Sequence, residues 1–192
     1  MSTDAVLVLR CQEDDGDAFD EIVARYKDGI YNYIRRMVWN REDVEDLAQE
    51  VFVRAFAGIK SFRRDSNLRT WLYRIATNLC VDRYRRKGIE KQLMISLDCE
   101  QDGEETTRFM ELPDSTYDPE RLCERSELQA EVHRALSRLP DKLRSAILLY
   151  DMQGLSYEEI AETLGVPIGT VKSRLFNGRM QLRNLLKPYV EA

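Results

Sequence analysis

Side chains able to make or break bonds are few in this chain and poorly grouped for it. The only histidine, His133, stands beside no nucleophile motif, and no glycine-rich phosphate loop occurs. The acidic pairs Asp14-Asp15 and Glu158-Glu159 are adjacent in sequence, so each pair leaves a helix in two different directions. Cys11, Cys80, Cys99 and Cys123 form no C-x-x-C unit. A zinc site is therefore not expected, and the cysteines read as packing residues of a reduced compartment. The sequence predicts no catalysis, no cofactor and no metal. What it offers instead is recognition of a polyanion, concentrated in two cationic stretches.

The first is Leu155 to Leu186, LSYEEIAETLGVPIGTVKSRLFNGRMQLRNLL, which has no acidic residue from Ile168 to Val190. Ser156 followed by Glu159 is a capping box that starts a helix, with Ile160, Ala161 and Leu164 on its inner face. Gly165 stops that helix and Pro167 fixes the turn. A second helix restarts near Gly169-Thr170. Its apolar side is read as Val171, Leu175, Met180, Leu182 and Leu186, and its cationic side as Lys172, Arg174, Arg179, Arg183 and Lys187. Two short helices about a tight turn, the second basic, make a helix-turn-helix whose second helix enters a major groove. A plain helical hairpin with a solvated basic face is the alternative.

The second stretch is Ser61 to Lys87, SFRRDSNLRTWLYRIATNLCVDRYRRK. Eight cations stand there against Asp65 and Asp82, interleaved with Phe62, Trp71, Tyr73 and Tyr84. Leu68, Leu72, Ile75 and Leu79 keep helical spacing, so a loop over Phe62 to Asn67 leads into a helix. Cations beside aromatic faces suit single-stranded nucleic acid, whose phosphates follow charge and whose bases stack. Core aromatics under a solubilising arginine surface are the competing reading.

These stretches need elements to position them. From Asp17, read as a cap, Phe19, Ile22, Val23, Tyr26, Ile30, Tyr33, Ile34 and Met37 recur at helical steps and predict a helix ending at Trp39-Asn40. A second helix spans Arg41 to Gly58, with Val44, Leu47, Ala48, Val51, Phe52 and Ala55 inward. Its other face carries Glu42, Asp43, Glu45, Asp46, Gln49 and Glu50, which suits either the helix dipole or a basic partner. Segments up to Arg10 allow helix or fraying. The 192 residues carry a net charge of −5, unevenly spread: residues 1–90 hold 16 basic and 16 acidic side chains, 91–125 hold 4 and 10, and 126–192 hold 9 and 8. The middle segment, without periodicity and with two prolines, reads as a flexible acidic linker, either a tether or a strand suited to a cationic channel. Beyond it, Ser126 opens a last domain with Leu128, Val132, Ala135, Leu136 and Leu139 on one helix, and Leu143, Ala146, Ile147, Leu148 and Tyr150 on the next. No apolar run approaches a membrane span and no signal peptide is evident, so a cytoplasmic protein is expected. The fold class is all-α: two small helical domains joined by a flexible acidic linker, the C-terminal one containing the helix-turn-helix.

Three segments in this order, DLAQEVFVRAF (Asp46 to Phe56), FRRDSNLRTWLYRIATN (Phe62 to Asn78) and LSYEEIAETLGVPIGTVKSRL (Leu155 to Leu175), resemble the bacterial extracytoplasmic-function, or group IV, RNA polymerase sigma factors. The resemblance covers nearly the whole chain. It implies a region 2 domain over 1–90 for polymerase docking and −10 recognition, an acidic linker over 91–125, and a region 4 domain over 126–192 for the −35 element. On these residues it implies that Asp46, Gln49 and Glu50 dock on core RNA polymerase. It further implies that Arg63, Arg64, Asp65, Ser66, Asn67, Arg69, Trp71, Arg74 and Asn78 open the −10 element and hold a base flipped from the non-template strand. Thr170, Lys172, Ser173, Arg174, Asn177 and Arg179 would then face the −35 duplex. The implied partners are core polymerase, promoter DNA and an anti-sigma factor, with no small-molecule substrate and no place in a membrane. A dimeric two-domain regulator would share the C-terminal motif but leaves Phe62 to Lys87 without a role.

Overall fold

The computed structural model describes residues 3–38, 40–63, 67–97 and 130–190, with the backbone alone at 87–97, 188 and 190. Every regular element among them is helical: α1 (Thr3–Gln12), α2 (Gly16–Met37), α3 (Arg41–Gly58), α4 (Leu68–Leu97), α5 (130–137), α6 (Asp141–Ile147), α7 (Tyr157–Leu164) and α8 (Ile168–Val190). A 3₁₀ turn, Ile59–Ser61, follows α3, and a π turn, Leu148–Met152, follows α6.

Local chemistry sets most of the boundaries. Asp15, not Asp17, caps α2: its carboxylate accepts the Ala18 N–H, and Asp17 falls in the first turn. Asn40 caps α3 in the same way through the Glu42 N–H. Ser156 and Glu159 close the expected capping box on α7, and Gly165 ends that helix at φ 63°, a conformation costly for any residue with a Cβ. The N-terminal residues form a helix, α1, because Leu7, Val8 and Cys11 are buried. Helix α4 continues through Leu97, past the point where the composition turns acidic. The run IEKQLM contains good helix formers, and net charge alone does not stop a helix.

Helices α1 to α4 wrap one core in which Ile22, Ile30, Tyr33, Ile34, Met37 and Leu72 have essentially no exposure. Each such side chain contributes about 1.5–3 kcal/mol of burial relative to an exposed position. On α3 the predicted inner residues Val44, Leu47, Val51 and Ala55 are buried, with Ala48 and Phe52 half-buried. In the C-terminal half, Leu136, Leu139, Ala146, Ile147 and Leu148 join Ile160, Val171 and Leu175. Met180 departs from its expected inward place and is 47 % exposed. The Leu128 and Ser126 positions lie outside the described residues, as does Trp39.

The two halves are in contact. The buried residues of both form one continuous apolar cluster, and α7 packs on α4 while α6 meets α2. Arg144 of α6 crosses the seam, donating to Met37 O at 2.8 Å and to the Tyr84 hydroxyl at 2.9 Å.

Candidate nucleic-acid interface

On α4 the steps from Asn67 to Trp71, Arg74 and Asn78 are four, three and four residues, so these side chains share one face. Trp71 is half-buried, its ring 4.8 Å from that of Phe62 and tilted at 46°. Asn78 is exposed, as is Arg63 on the loop before the helix. Gly58, Ser61, Phe62, Arg63, Trp71, Arg74 and Glu162 line an open concavity of about 580 Å³. Two aromatic rings, two guanidinium groups and an open mouth are what an unstacked base attached to a phosphate requires. Arg64, Asp65 and Ser66, expected in the same loop, lie outside the described residues.

The basic stretch does not act as one patch. Its C-terminal part turns toward α3, where Arg83 pairs with Asp43 at 2.9 Å. Arg83 and Arg86 then line a groove of about 200 Å³ with Asp46, Glu50, Arg54 and Asp82. Asp46 and Gln49 are exposed, while Glu50 is held by Arg54 at 2.7 Å. The surface expected to be acidic is therefore of mixed charge. It also has an apolar extension that sequence reasoning missed. Val53, one turn beyond Gln49 and Glu50, is 62 % exposed. The helical period leaves Val53 off the inward face of Val44, Leu47, Ala48, Val51, Phe52 and Ala55, and that placement was the available signal for an exposed valine.

The helix-turn-helix places α8 with Val171 and Leu175 inward. Ser173 and Asn177 point away from that core, exposed, and Thr170 and Arg174 are half-buried on one flank. Ser173 donates to Thr170 O at 3.0 Å, tightening the first turn. Phe176, unassigned from the sequence, is 70 % exposed beside Ser173 and Asn177. An aromatic residue on the solvent side of a cationic helix was the available signal, and such a ring can meet a thymine methyl group.

Lys172 and Arg179 occupy the other flank, two turns apart, and are tied together by two stacked tyrosines. The Tyr150 and Tyr157 rings lie 5.0 Å apart at 17°, with Lys172 Nζ 5.8 Å from the Tyr157 centroid and the Arg179 guanidinium 4.9 Å from that of Tyr150. Arg179 also pairs with both oxygens of Asp151. The stack orients two long cations that would otherwise sample many rotamers, at roughly 0.5–1 kcal/mol each for exposed cation–π contacts. Replacing Tyr157 by Leu is expected to weaken binding to duplex DNA about two- to fivefold, with Tyr157→Phe close to the unchanged protein. Titration with labelled duplex checks this, and equal losses in both variants would rule the ring out.

Neither buried cysteine is set up for reaction. Cys11 and Cys80 are free thiols in the core, and burial pushes Cys80 up to about 12. Cys99 and Cys123 lie outside the described residues. Among the described residues no grouping of His, Cys, Asp and Glu is placed to hold a metal ion, and no helix is long and apolar enough to cross a membrane.

Comparison with known proteins matches residues 22–89 to Sigma-70 region 2 and residues 129–182 to Sigma-70 region 4. The ECF RNA polymerase sigma factor SigW of Bacillus subtilis is 40 % identical over 181 residues, which is 94 % of this chain and 95 % of that one. The ECF RNA polymerase sigma-E factor of Escherichia coli is 38 % identical over 188 residues, 98 % and 96 % of the two chains. Among solved structures, CnrH in complex with the cytosolic domain of CnrY superposes with a TM-score of 0.70 at 26 % identity, covering 95 % of this chain and 96 % of that one. The sigma factor RpoE in complex with the anti-sigma factor NepR, from Bartonella quintana, gives 0.68 at 28 % identity, over 88 % and 96 %. With relatives of this identity along nearly its full length, and with both regions matched in order, the chain belongs to the ECF sigma factors, the initiation factors that direct bacterial RNA polymerase to its promoters.

Proposed function

We propose a division of labour in which residues 1–90 dock on core polymerase and open the −10 element, residues 126–192 read the −35 element, and 91–125 tether them. Polymerase docking falls to Asp46, Gln49 and Glu50. Capture of the non-template strand falls to Arg63, Asn67, Arg69, Trp71, Arg74 and Asn78, together with Arg64, Asp65 and Ser66 of the same loop. Duplex reading falls to Thr170, Lys172, Ser173, Arg174, Asn177 and Arg179. The observation that carries this assignment is the cavity walled by Phe62, Trp71 and Arg74 in the same chain as a capped helix-turn-helix.

The energetics suit a shared task. Each good bidentate contact to a base contributes about 1–3 kcal/mol of discrimination, enough for −35 selectivity from a few side chains. Strand opening costs on the order of 1.4 kcal/mol per base step, which a pocket for one flipped base and polymerase docking offset together. The protein carries no reaction of its own in this scheme and works in the cytoplasm, where polymerase and DNA are. Two solved structures similar to this chain are complexes, one with the cytosolic domain of CnrY and one with the anti-sigma factor NepR, which supports control by an anti-sigma partner here.

The decisive experiment is transcription in vitro with core polymerase on genomic fragments, with start sites mapped. This protein alone is expected to suffice for specific initiation. Changing Lys172 and Arg174 to Ala should cut promoter use by about tenfold or more while polymerase binding stays intact. Loss of both together, or initiation that needs another specificity factor, would refute the assignment.

A further inference from the structure

We infer that α1 braces the strand-capturing concavity and that Gln12 is its positioning residue, holding the Phe62 end of the loop so that a flipped base meets a preformed site. The inference rests on the proposed −10 role of that concavity. The match to region 2 begins at residue 22, so α1 lies ahead of the matched region. Gln12 is the last residue of α1, and its side chain bridges to backbone 47 and 50 residues away. Its amide nitrogen donates to Ile59 O at 3.1 Å and to Phe62 O at 3.0 Å. An amide NH₂ group carries two donors, so both carbonyls can be served at once. The two acceptors also fix which way the amide faces, since its oxygen in that place would meet two like dipoles.

Where the two carbonyls stand gives these bonds their importance. Ile59 O also takes the Phe62 N–H at 3.2 Å, which closes the 3₁₀ turn. Phe62 ends that turn in extended conformation, φ −64° and ψ 124°. Its carbonyl therefore stands outside the helical ladder, and Gln12 takes it from the side. Gly58, Ser61, Phe62 and Arg63, four of the seven residues lining the concavity, belong to the stretch tied down in this way. The Phe62 ring is 8 % exposed and rests on Trp71. Gly58 lets Trp71 come close, since a Cβ there would lie 3.1 Å from its ring. A shift of about 1 Å in this backbone moves the Phe62 ring against Trp71, and misplacement on that scale removes much of what a positioned group contributes.

The helix that carries Gln12 is itself anchored. Leu7, Val8 and Cys11 are buried, and Asp14 turns the chain at φ 66° behind them. Asp15 then caps α2 and also takes the Arg10 guanidinium at 2.8 Å, which joins the end of α1 to the start of α2. A side chain reaching from such a base can hold a loop in place, as a flexible terminus could not. A second tie, Lys60 to Asp14, joins the same two segments, but its partners are 64 % and 75 % exposed and it adds little. Gln12 is half-buried and bridges two carbonyls, so the brace depends on it.

The test uses holoenzyme assembled from core polymerase and the full chain, on a linear promoter template with a mapped start site. Templates carry single abasic sites, one position at a time, in the non-template strand of the −10 element. The position whose loss costs the unchanged protein most marks the captured base. Gln12→Met keeps length and helix propensity while removing both donors, and Gln12→Glu keeps the shape while turning donors into acceptors. Glu13→Gln, on the exposed neighbour, is the control. Thermal melting of the free variants verifies the fold. Both Gln12 variants are expected to lower initiation about three- to tenfold on the intact template and to cost nothing further on the template lacking the captured base, with Glu13→Gln unchanged on both. Equal losses on the two templates, or no loss on the intact one, overturn the positioning role and leave the −10 assignment standing. If no abasic site in the element affects the unchanged protein, the capture assignment falls and this inference with it.

Discussion

Reversing Asp46 and Glu50 to lysine is expected to lower affinity for core polymerase by about a hundredfold, with the fold intact. Both side chains line the shallow groove between α3 and α4 that already holds Arg54, Arg83 and Arg86. In the unchanged protein Glu50 balances Arg54 at 2.7 Å, and Asp43 balances Arg83 at 2.9 Å. Two added lysines then stand beside Arg54 and Arg86 with Asp82 as the carboxylate left lining the groove, and the basic partner proposed for this surface meets net positive charge. Coupling across close interfacial charge pairs runs from about 1.5 kcal/mol upward, so removing two attractions and adding repulsion passes the roughly 2.8 kcal/mol that a hundredfold needs. Stability should change little, because Asp46 is exposed and the Glu50–Arg54 pair is 44 % and 51 % exposed. Glu45→Lys, one position away and 55 % exposed beside Arg41, is the control and should assemble normally. Competition of the variants against labelled protein for core polymerase measures the effect. Normal assembly by the double reversal would remove Asp46 and Glu50 from the interface.

What the sequence made legible follows from how local each signal is. The capping box at Ser156 and Glu159, the left-handed Gly165 and the bounds of α3 are all fixed by residues within a turn or two, and each is found where expected. Spacing points to Asp17 as the α2 cap, whereas Asp15 takes the extended capping conformation, which no residue type reveals. Exposure was harder to read. Met180 stands five residues after Leu175 and two before Leu182, steps that put it on the opposite side of α8, and it lies in solvent. Arg144 carries nothing in its sequence neighbourhood that marks it as internal, and it is 3 % exposed. The basic run of Ser61 to Lys87 looked uniform, but α4 is long enough for its two ends to meet different partners: α7 at Arg74 and α3 at Arg83. Contacts across eighty or more residues depend on how the halves pack, and composition carries no record of that.

Arg144 is where that packing is expected to be most sensitive. Its guanidinium crosses from α6 to the C-terminus of α2, donating to Met37 O at 2.8 Å, to Leu139 O at 3.1 Å, to the Tyr84 hydroxyl at 2.9 Å and to Asp141 at 2.6 Å. It also lies over the Tyr84 ring at 5.3 Å. Met37 O sits at the end of a 22-residue helix, where backbone carbonyls lack partners and a cation is favoured. Truncation to Ala takes the long-range donor from Met37 O, leaving it the Tyr84 hydroxyl, removes the local donor to Leu139 O and opens a void between the halves. Lost hydrogen bonds to a charged group are worth about 1.5–3 kcal/mol each, but burying a guanidinium is itself costly, and the two effects partly cancel. Arg144→Ala is therefore expected to destabilise the full chain by about 2–4 kcal/mol, a fall in Tm of roughly 5–15 °C. Lysine keeps the charge but not the planar fork, so Arg144→Lys should recover only part of the loss. Tyr84→Phe removes one donor to Met37 O and leaves the arginine in place, so about 1 kcal/mol is expected there. Urea unfolding of the three variants tests the order, and an Arg144→Ala protein within about 0.5 kcal/mol of the unchanged chain would mean that the seam is held by its apolar contacts alone.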